Sequence, residues 1–192
     1  MLTTCAIRPH RLLGLVCGGG DNAGLSVNPG ARITATAEAE LLVLVVEDEP
    51  VIAASIEWEL MAAGHEVLGP ASSVDEAQEL VRRRRPDLAF VDINLAGADE
   101  GVGLARDLRR RWGVHSLFVT GQITQARQNS DAALGVLAKP FAFESLVACV
   151  PAAAELVSGR TPPRIPRGLE VFAPIAQPPR GDGRGFEASL AQ

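Results

Sequence analysis

Cysteine is scarce in this chain, and its few cysteines lie far apart. Cys5, Cys17 and Cys149 are the only three among 192 residues. An odd number of widely spaced cysteines argues against a disulfide framework and against a zinc site. Proteins without disulfides are typical of reducing compartments, so we expect this protein in the cytoplasm.

An excess of positive charge and long apolar stretches are also missing. The formal net charge is −5, whereas nucleic-acid-binding domains are usually basic. No apolar stretch approaches the roughly 20 residues that span a bilayer. The apolar stretch before Cys17 is shorter than the core of an export signal, which takes about 7–15 residues. We therefore expect no export signal, and neither nucleic acid nor membrane among the partners.

Glycine and proline divide the chain into three zones. Residues 1–39 carry breaker signals such as Asn28-Pro29-Gly30, which predicts a disordered or loosely structured extension. Residues 159–192 are rich in proline, glycine and arginine, which predicts a flexible tail. We expect the folded domain in the zone between them, residues 40–158.

In this middle zone, apolar runs typical of buried strands alternate with helical stripes. Residues 41–46 form a continuous apolar run, and Ile52, Ile56 and Leu60 then recur four apart. Further strands are expected at about 66–69, 88–91, 117–120 and 134–138. This order predicts an α/β fold with five parallel strands and helices on both faces of the sheet. We expect Pro151 to kink or interrupt the last helix, because proline has no N–H to donate.

Charged and hydroxyl side chains stand where four of these strands end. Glu47 and Asp48 follow the first strand, Asp92 the third, Thr120 the fourth and Lys139 the fifth. In parallel sheets these ends share one edge, where ligands bind. Carboxylates about 4 Å apart repel each other by roughly 1–4 kcal/mol, so a cation should join them.

A divalent ion with oxygen ligands, above all Mg²⁺, suits this pair of aspartates. A metal, a lysine and a hydroxyl around one carboxylate are typical of phosphoryl transfer. An aspartate can itself accept the phosphoryl group as an acyl phosphate.

Residues from about 42 to 157, some three fifths of the chain, resemble the receiver domain of two-component response regulators. Four motifs carry the resemblance, each at or after a predicted strand and in the family's order. They are VVEDEP at 45–50, DLAFVDIN at 87–94, FVTG at 118–121 and KPF at 139–141. The resemblance implies a flavodoxin-like, three-layer fold.

The resemblance also implies roles for the carboxylates of Glu47, Asp48 and Asp92 at this edge of the sheet, named here the acidic edge. Asp92 would be the phosphoacceptor and a ligand of Mg²⁺. Asp48 would bind the metal directly, and Glu47 through water. The backbone carbonyl of Asn94 would complete the protein ligands.

Two further residues would read the phosphoryl group. Thr120 would be the switch hydroxyl that moves toward it, and Lys139 would bridge to it, with a cis bond between Lys139 and Pro140. The donor would be a phosphohistidine on a sensor histidine kinase or a phosphotransfer protein. A receiver is not an enzyme in the ordinary sense, because it acts only on its own aspartate.

The sequence departs from the family at two places. Val136 stands where a switch aromatic often lies, and the chain has 0 tyrosines. The loop at residues 95–103 lacks the Met-Pro often found there. Only about 35 residues follow Val157, so we expect a stand-alone receiver that signals through an unknown downstream protein.

Three other interpretations remain open at this point. The Glu47-Asp48-Glu49 triplet alone is typical of a solvated turn before a helix. The unusual loop and Val136 favour a receiver-shaped interaction module that phosphate does not switch. Carboxylates with Mg²⁺ also suit a small metal-dependent phosphatase, which we rank last.

Overall fold

A computed structural model describes residues 40–172, and the predicted extension at residues 1–39 lies outside this range. Five strands are parallel: β1 (Leu42–Val46), β2 (Glu66–Ala71), β3 (Leu88–Val91), β4 (His115–Thr120) and β5 (Gly135–Ala138). A sixth strand, β6 (Leu169–Val171), runs antiparallel to β5. The order across the sheet is β2-β1-β3-β4-β5-β6.

Five α-helices connect and cover the strands. They are α1 (Pro50–Ala62), α2 (Val74–Arg83), α3 (Glu100–Asp107), α4 (Ile123–Gln128) and α5 (Phe143–Val157). A π-helical segment, Leu108–Trp112, continues α3 and ends at Gly113, whose φ is 66°.

The core lies in two layers, one on each face of the sheet. Ile56 and Leu60 of α1 and Leu146 of α5 pack on one face. Val81 of α2 and Leu104 of α3 pack on the other. Every residue of β1 and β3 is buried, because both faces of these strands are covered. The predicted three-layer α/β fold is therefore confirmed.

Side chains cap the start of α2, where Ser73 is the N-cap residue. The Glu76 N–H donates to the Ser73 hydroxyl at 3.3 Å. The Glu76 carboxylate turns back and accepts from the Ser72 N–H at 2.8 Å. Two N–H groups at the start of α2 therefore have side-chain partners.

The structure differs from the sequence prediction at the C-terminal boundary. The first part of the predicted flexible tail returns to the sheet as β6, so the sheet has six strands instead of five. Leu169 and Phe172 are each 8% exposed and bury apolar surface on opposite faces of the sheet. The sequence analysis missed this short apolar segment because the residues around it are rich in proline. Residues 173–192 of the tail lie outside the described range.

Pro151 does not interrupt α5, which continues from Phe143 to Val157. Leu146, Val150 and Ala153 are fully buried against the sheet. Packing of this apolar stripe outweighs the one backbone hydrogen bond that proline cannot make. Among residues 40–172, no helix combines the length and the apolar character needed to cross a membrane.

Candidate functional site

Three carboxylates meet at the carboxyl edge of the sheet. Glu47 and Asp48 follow β1, and Asp92 follows β3, the neighbouring parallel strand in which Val91 pairs with Val46. The Asp92 N–H donates to the Val46 carbonyl at 3.0 Å. One oxygen from each of the three carboxylates lies within 4.8 Å of the other two. The predicted convergence of these side chains is therefore present in the fold.

Lys139 joins two of these carboxylates. Its Nζ lies 2.6 Å from Glu47 Oε2 and 2.6 Å from Asp92 Oδ2. The Glu47 and Asp92 residues are only 3% and 7% exposed. The bond between Lys139 and Pro140 is cis, as the family resemblance implies.

Burial and charge act against each other at this ion-paired group. Burial of the Glu47 carboxylate raises its pKa, and this outweighs the opposing effect of Lys139. Burial also lowers the pKa of Lys139, but hydrogen bonds and charge from Asp92 and Glu47 outweigh it and leave that pKa raised. Lys139 therefore stays protonated at neutral pH.

One ammonium does not balance three carboxylates. Asp48 is half-buried, and its Oδ2 accepts the Ala96 N–H at 2.9 Å. Asp92 Oδ1 accepts the Asn94 N–H at 3.2 Å. These two carboxylates have neutral backbone donors on those oxygens, so the site retains negative charge. Oxygen donors in such a group match the ligands that Mg²⁺ takes, so the residues present fit this metal.

Thr120 lies at the end of β4, between the strands that carry Asp92 and Lys139. Thr120 is 1% exposed, and its Oγ1 accepts the Gln122 N–H at 3.2 Å. Its backbone carbonyl accepts the Lys139 N–H at 2.9 Å. Hydrogen bonds therefore link Thr120 to the backbone of Lys139 and to Gln122, which precedes α4.

Gly101 is a structural element of the site that the sequence interpretation missed. A Cβ at this position would lie 1.9 Å from the Asp92 carbonyl oxygen. The Gly101 N–H donates to the Ile93 carbonyl at 3.0 Å, which brings the first turn of α3 against the backbone beside Asp92. The glycine in Glu100-Gly101-Val102 was the available signal, since glycine allows a close approach of two backbones.

An apolar cleft opens beside Lys139. Val51 and Ile52 of α1 line one side, and Phe141 and Phe143 line the other. Val51 is 80% exposed and Phe143 is 38% exposed. Apolar side chains are therefore accessible to a partner next to the acidic edge.

Comparison with known proteins gives a consistent result. Residues 43–151 match a family model described as the response regulator receiver domain. The phyllosphere-induced regulator PhyR of Methylorubrum extorquens is 35% identical over 79 residues, which cover 41% of this chain and 30% of PhyR.

Solved structures show the same similarity. A structure of the PhyR stress response regulator is 35% identical, has a TM-score of 0.52, and covers 60% of this chain and 45% of that one. The signal receiver domain of a modulated diguanylate cyclase from Desulfovibrio desulfuricans is 31% identical, with a TM-score of 0.57. It covers 62% of this chain and 98% of that one. The chain thus spans less than half the length of either PhyR match.

Proposed function

Because this chain belongs to the response regulator receiver family, we propose that it accepts a phosphoryl group on Asp92 and signals by a protein contact. A carboxylate oxygen of Asp92 would attack the phosphorus of a phosphohistidine donor. The P–N bond would break, and its electron pair would return to the donor imidazole. The observation that carries this proposal is the buried Asp92, held by Lys139 beside two further acids.

Glu47, Asp48 and Asp92, with the backbone carbonyl of Asn94, would hold Mg²⁺ in this proposal. When bound, the metal supplies positive charge that neutralises phosphoryl oxygens. The uncompensated carboxylates support this assignment, because Lys139 balances only part of their charge.

Lys139 and Thr120 would read the phosphorylated state. Lys139 Nζ already contacts Asp92 Oδ2, so it can contact a phosphoryl oxygen once Asp92 carries the phosphoryl group as an acyl phosphate. The Thr120 hydroxyl oxygen accepts the Gln122 N–H in the loop that leads into α4, and its own O–H would turn to donate to the phosphoryl group. Movement of this loop would change the face that a partner meets.

The donor would be a sensor histidine kinase or a phosphotransfer protein, and the apolar cleft beside Lys139 would receive it. The downstream partner would be a protein. One structural neighbour, PhyR of Bartonella quintana, is described as an anti-anti-sigma factor. An anti-sigma factor is therefore the first partner to test. The cytoplasmic location stays a prediction. The absence of nucleic acid and of membrane from the partners also stays a prediction.

The test is the intact-protein mass after incubation with acetyl phosphate and Mg²⁺. We expect the wild type to gain one phosphoryl group, and Asp92→Asn to gain none. Glu49→Gln is the matched control, because Glu49 is an exposed acid beside the site. Omission of Mg²⁺ should abolish the gain in the wild type.

A phosphohistidine donor protein provides the second arm, since some receivers do not react with acetyl phosphate. If neither donor phosphorylates the wild type, or if Asp92→Asn is phosphorylated equally, the proposal fails. Partner binding that ignores both phosphate and Asp92 would then favour the interaction-module alternative. Val136 is its structural basis, because this residue is 1% exposed in the core and is not an aromatic side chain that could rotate. Repeated turnover of a free phosphomonoester would favour the phosphatase alternative.

A further inference from the structure

The chain covers one edge of its own sheet. Residues 166–172, named here the cover, contain β6 and lie along β5. Val136 pairs with Glu170, and Leu137 pairs with Leu169. The Phe172 N–H also donates to the Leu134 carbonyl at 2.9 Å. The backbone edge of β5 is therefore occupied by the cover.

The fit between the cover and β5 depends on one glycine. A Cβ on Gly135 would lie 2.4 Å from the Glu170 carbonyl oxygen and 3.1 Å from Val171 Cα. The two backbones approach closely at this point because Gly135 has no side chain.

An ion pair fastens the cover to α4. Arg127 Nε lies 3.0 Å from Glu170 Oε1, and Arg127 Nη2 lies 2.8 Å from Glu170 Oε2. The two side chains are 60% and 43% exposed, so water competes for this contact. The contact is therefore specific in geometry and weak enough to open.

The cover contacts two elements next to the acidic edge, α4 and β5. α4 begins at Ile123, three residues after Thr120, and carries Arg127. β5 pairs with the cover on one side and leads into Lys139 on the other. A shift of Thr120 toward Asp92 would thus move both surfaces on which the cover lies, because the Thr120 carbonyl accepts the Lys139 N–H and Thr120 precedes α4.

We propose that residues 166–172 are an autoinhibitory cover, and that phosphorylation of Asp92 releases it from α4 and the β5 edge. The Arg127–Glu170 ion pair is the latch. Release presents the backbone N–H and C=O groups of β5 to a partner protein. Without release, β6 of the same chain occupies these groups. This inference rests on the proposed function, because the signal for release is the phosphoryl group.

The latch is tested first, without any phosphodonor, by hydrogen exchange and mass spectrometry on the full chain. Glu170→Gln should speed exchange of amides in 166–172 by about two- to fivefold, as expected from loss of an exposed ion pair. Glu66→Gln is the matched control, since Glu66 lies on β2, at the opposite edge, and pairs with Arg84 of α2's C-terminal end. It should leave exchange in 166–172 unchanged.

Gly135→Ala provides a second variant that acts through β5 instead of the ion pair. Its methyl group collides with the backbone of the cover, so exchange in 166–172 should rise more than in Glu170→Gln. Amides of β1 and β3 should remain protected, which shows that the domain is still folded. If neither variant speeds exchange in the cover, the cover is an integral strand and the inference is wrong.

The link to phosphate is tested by comparing exchange with and without acetyl phosphate and Mg²⁺, with the intact mass recorded on the same samples. The phosphorylated fraction should exchange in 166–172 on the order of tenfold faster. Asp92→Asn should show no change. A sample that gains the phosphoryl group without faster exchange overturns this inference and leaves the proposed function standing. A sample that gains no phosphoryl group from acetyl phosphate or a phosphohistidine donor overturns both.

Discussion

Lys139 is the only lysine in a chain that has 17 arginines. Its ammonium lies 2.6 Å from an oxygen of both Glu47 and Asp92. A compact ammonium can bridge two buried oxygens, whereas a guanidinium is larger, planar and fixed in its donor directions. A lysine therefore suits this double contact better than the larger arginine would.

Substitution of Lys139 should lower the free energy of unfolding, and methionine should lower it more than arginine. Lys139→Met leaves two buried carboxylates without a cation and should lower the free energy of unfolding by about 3–5 kcal/mol. Lys139→Arg keeps the charge but overfills the space, with an expected loss of about 1–3 kcal/mol. Urea unfolding at neutral pH measures both. An arginine variant as stable as the wild type would contradict the size argument.

His115, at the start of β4, should make stability depend on pH. Burial, together with the charge of Arg109, lowers its pKa from 6.5 to about 4. The folded protein resists protonation of this ring more than the unfolded chain does. The contribution of neutral His115 to stability is thus complete above about pH 6.5 and is lost as the pH falls toward 4.

His115→Asn should consequently flatten the loss of stability between pH 6.5 and 4. Urea unfolding of both proteins at several pH values across this window measures the difference. Equal slopes for the variant and the wild type would show that His115 titrates alike in the folded and unfolded chains.

At the scale of elements, α3 shows how one glycine can position a helix. Gly101 meets the backbone at Asp92, whereas Gly103, two residues later in the same helix, has nothing within 4 Å of a Cβ. A glycine-to-alanine substitution can therefore be compared at a crowded and at an open position of the same helix.

Gly101→Ala should lower the free energy of unfolding by about 1–3 kcal/mol and slow phosphoryl uptake, because the backbone beside Asp92 must shift. Gly103→Ala should raise stability by about 0.5–1 kcal/mol, since alanine favours helix over glycine. Thermal unfolding and the intact-mass assay measure the two effects. Equal behaviour of the two variants would contradict the close approach at Gly101.

At the scale of the whole molecule, binding of Mg²⁺ at the acidic edge would be coupled to folding. The carboxylates that would hold Mg²⁺ come from the ends of two strands, so only the folded chain brings them together. A ligand that binds only the folded state stabilises it, by about 2.7 kcal/mol at 100 times its Kd. Mg²⁺ should therefore raise the unfolding temperature of the entire domain.

Asp48→Asn should remove most of this effect, because Asp48 is the half-buried carboxylate with no lysine contact. Thermal unfolding with Mg²⁺ and with a chelator measures the shift, and Glu49→Gln is the control. A variant at Asp48 that responds to Mg²⁺ like the wild type would place the metal elsewhere.

From the sequence alone we predicted a parallel sheet, the succession of its first five strands and helices along the chain, and charged side chains at one edge. These depend on hydrophobic periodicity and on the rule that parallel strands end at one edge, both of which are local or topological. The close approach at Gly101 and the double contact of Lys139 depended on tertiary packing.

The antiparallel strand β6, by contrast, became evident only in the folded protein. Its three residues carry too short a pattern to distinguish a strand from a tail, and the prolines before them favour disorder. Its stability comes from β5, from Arg127 and from the core around Phe172, which are distant in sequence. Pairing between distant segments leaves little local signal, so the fold alone shows that this chain covers its own edge.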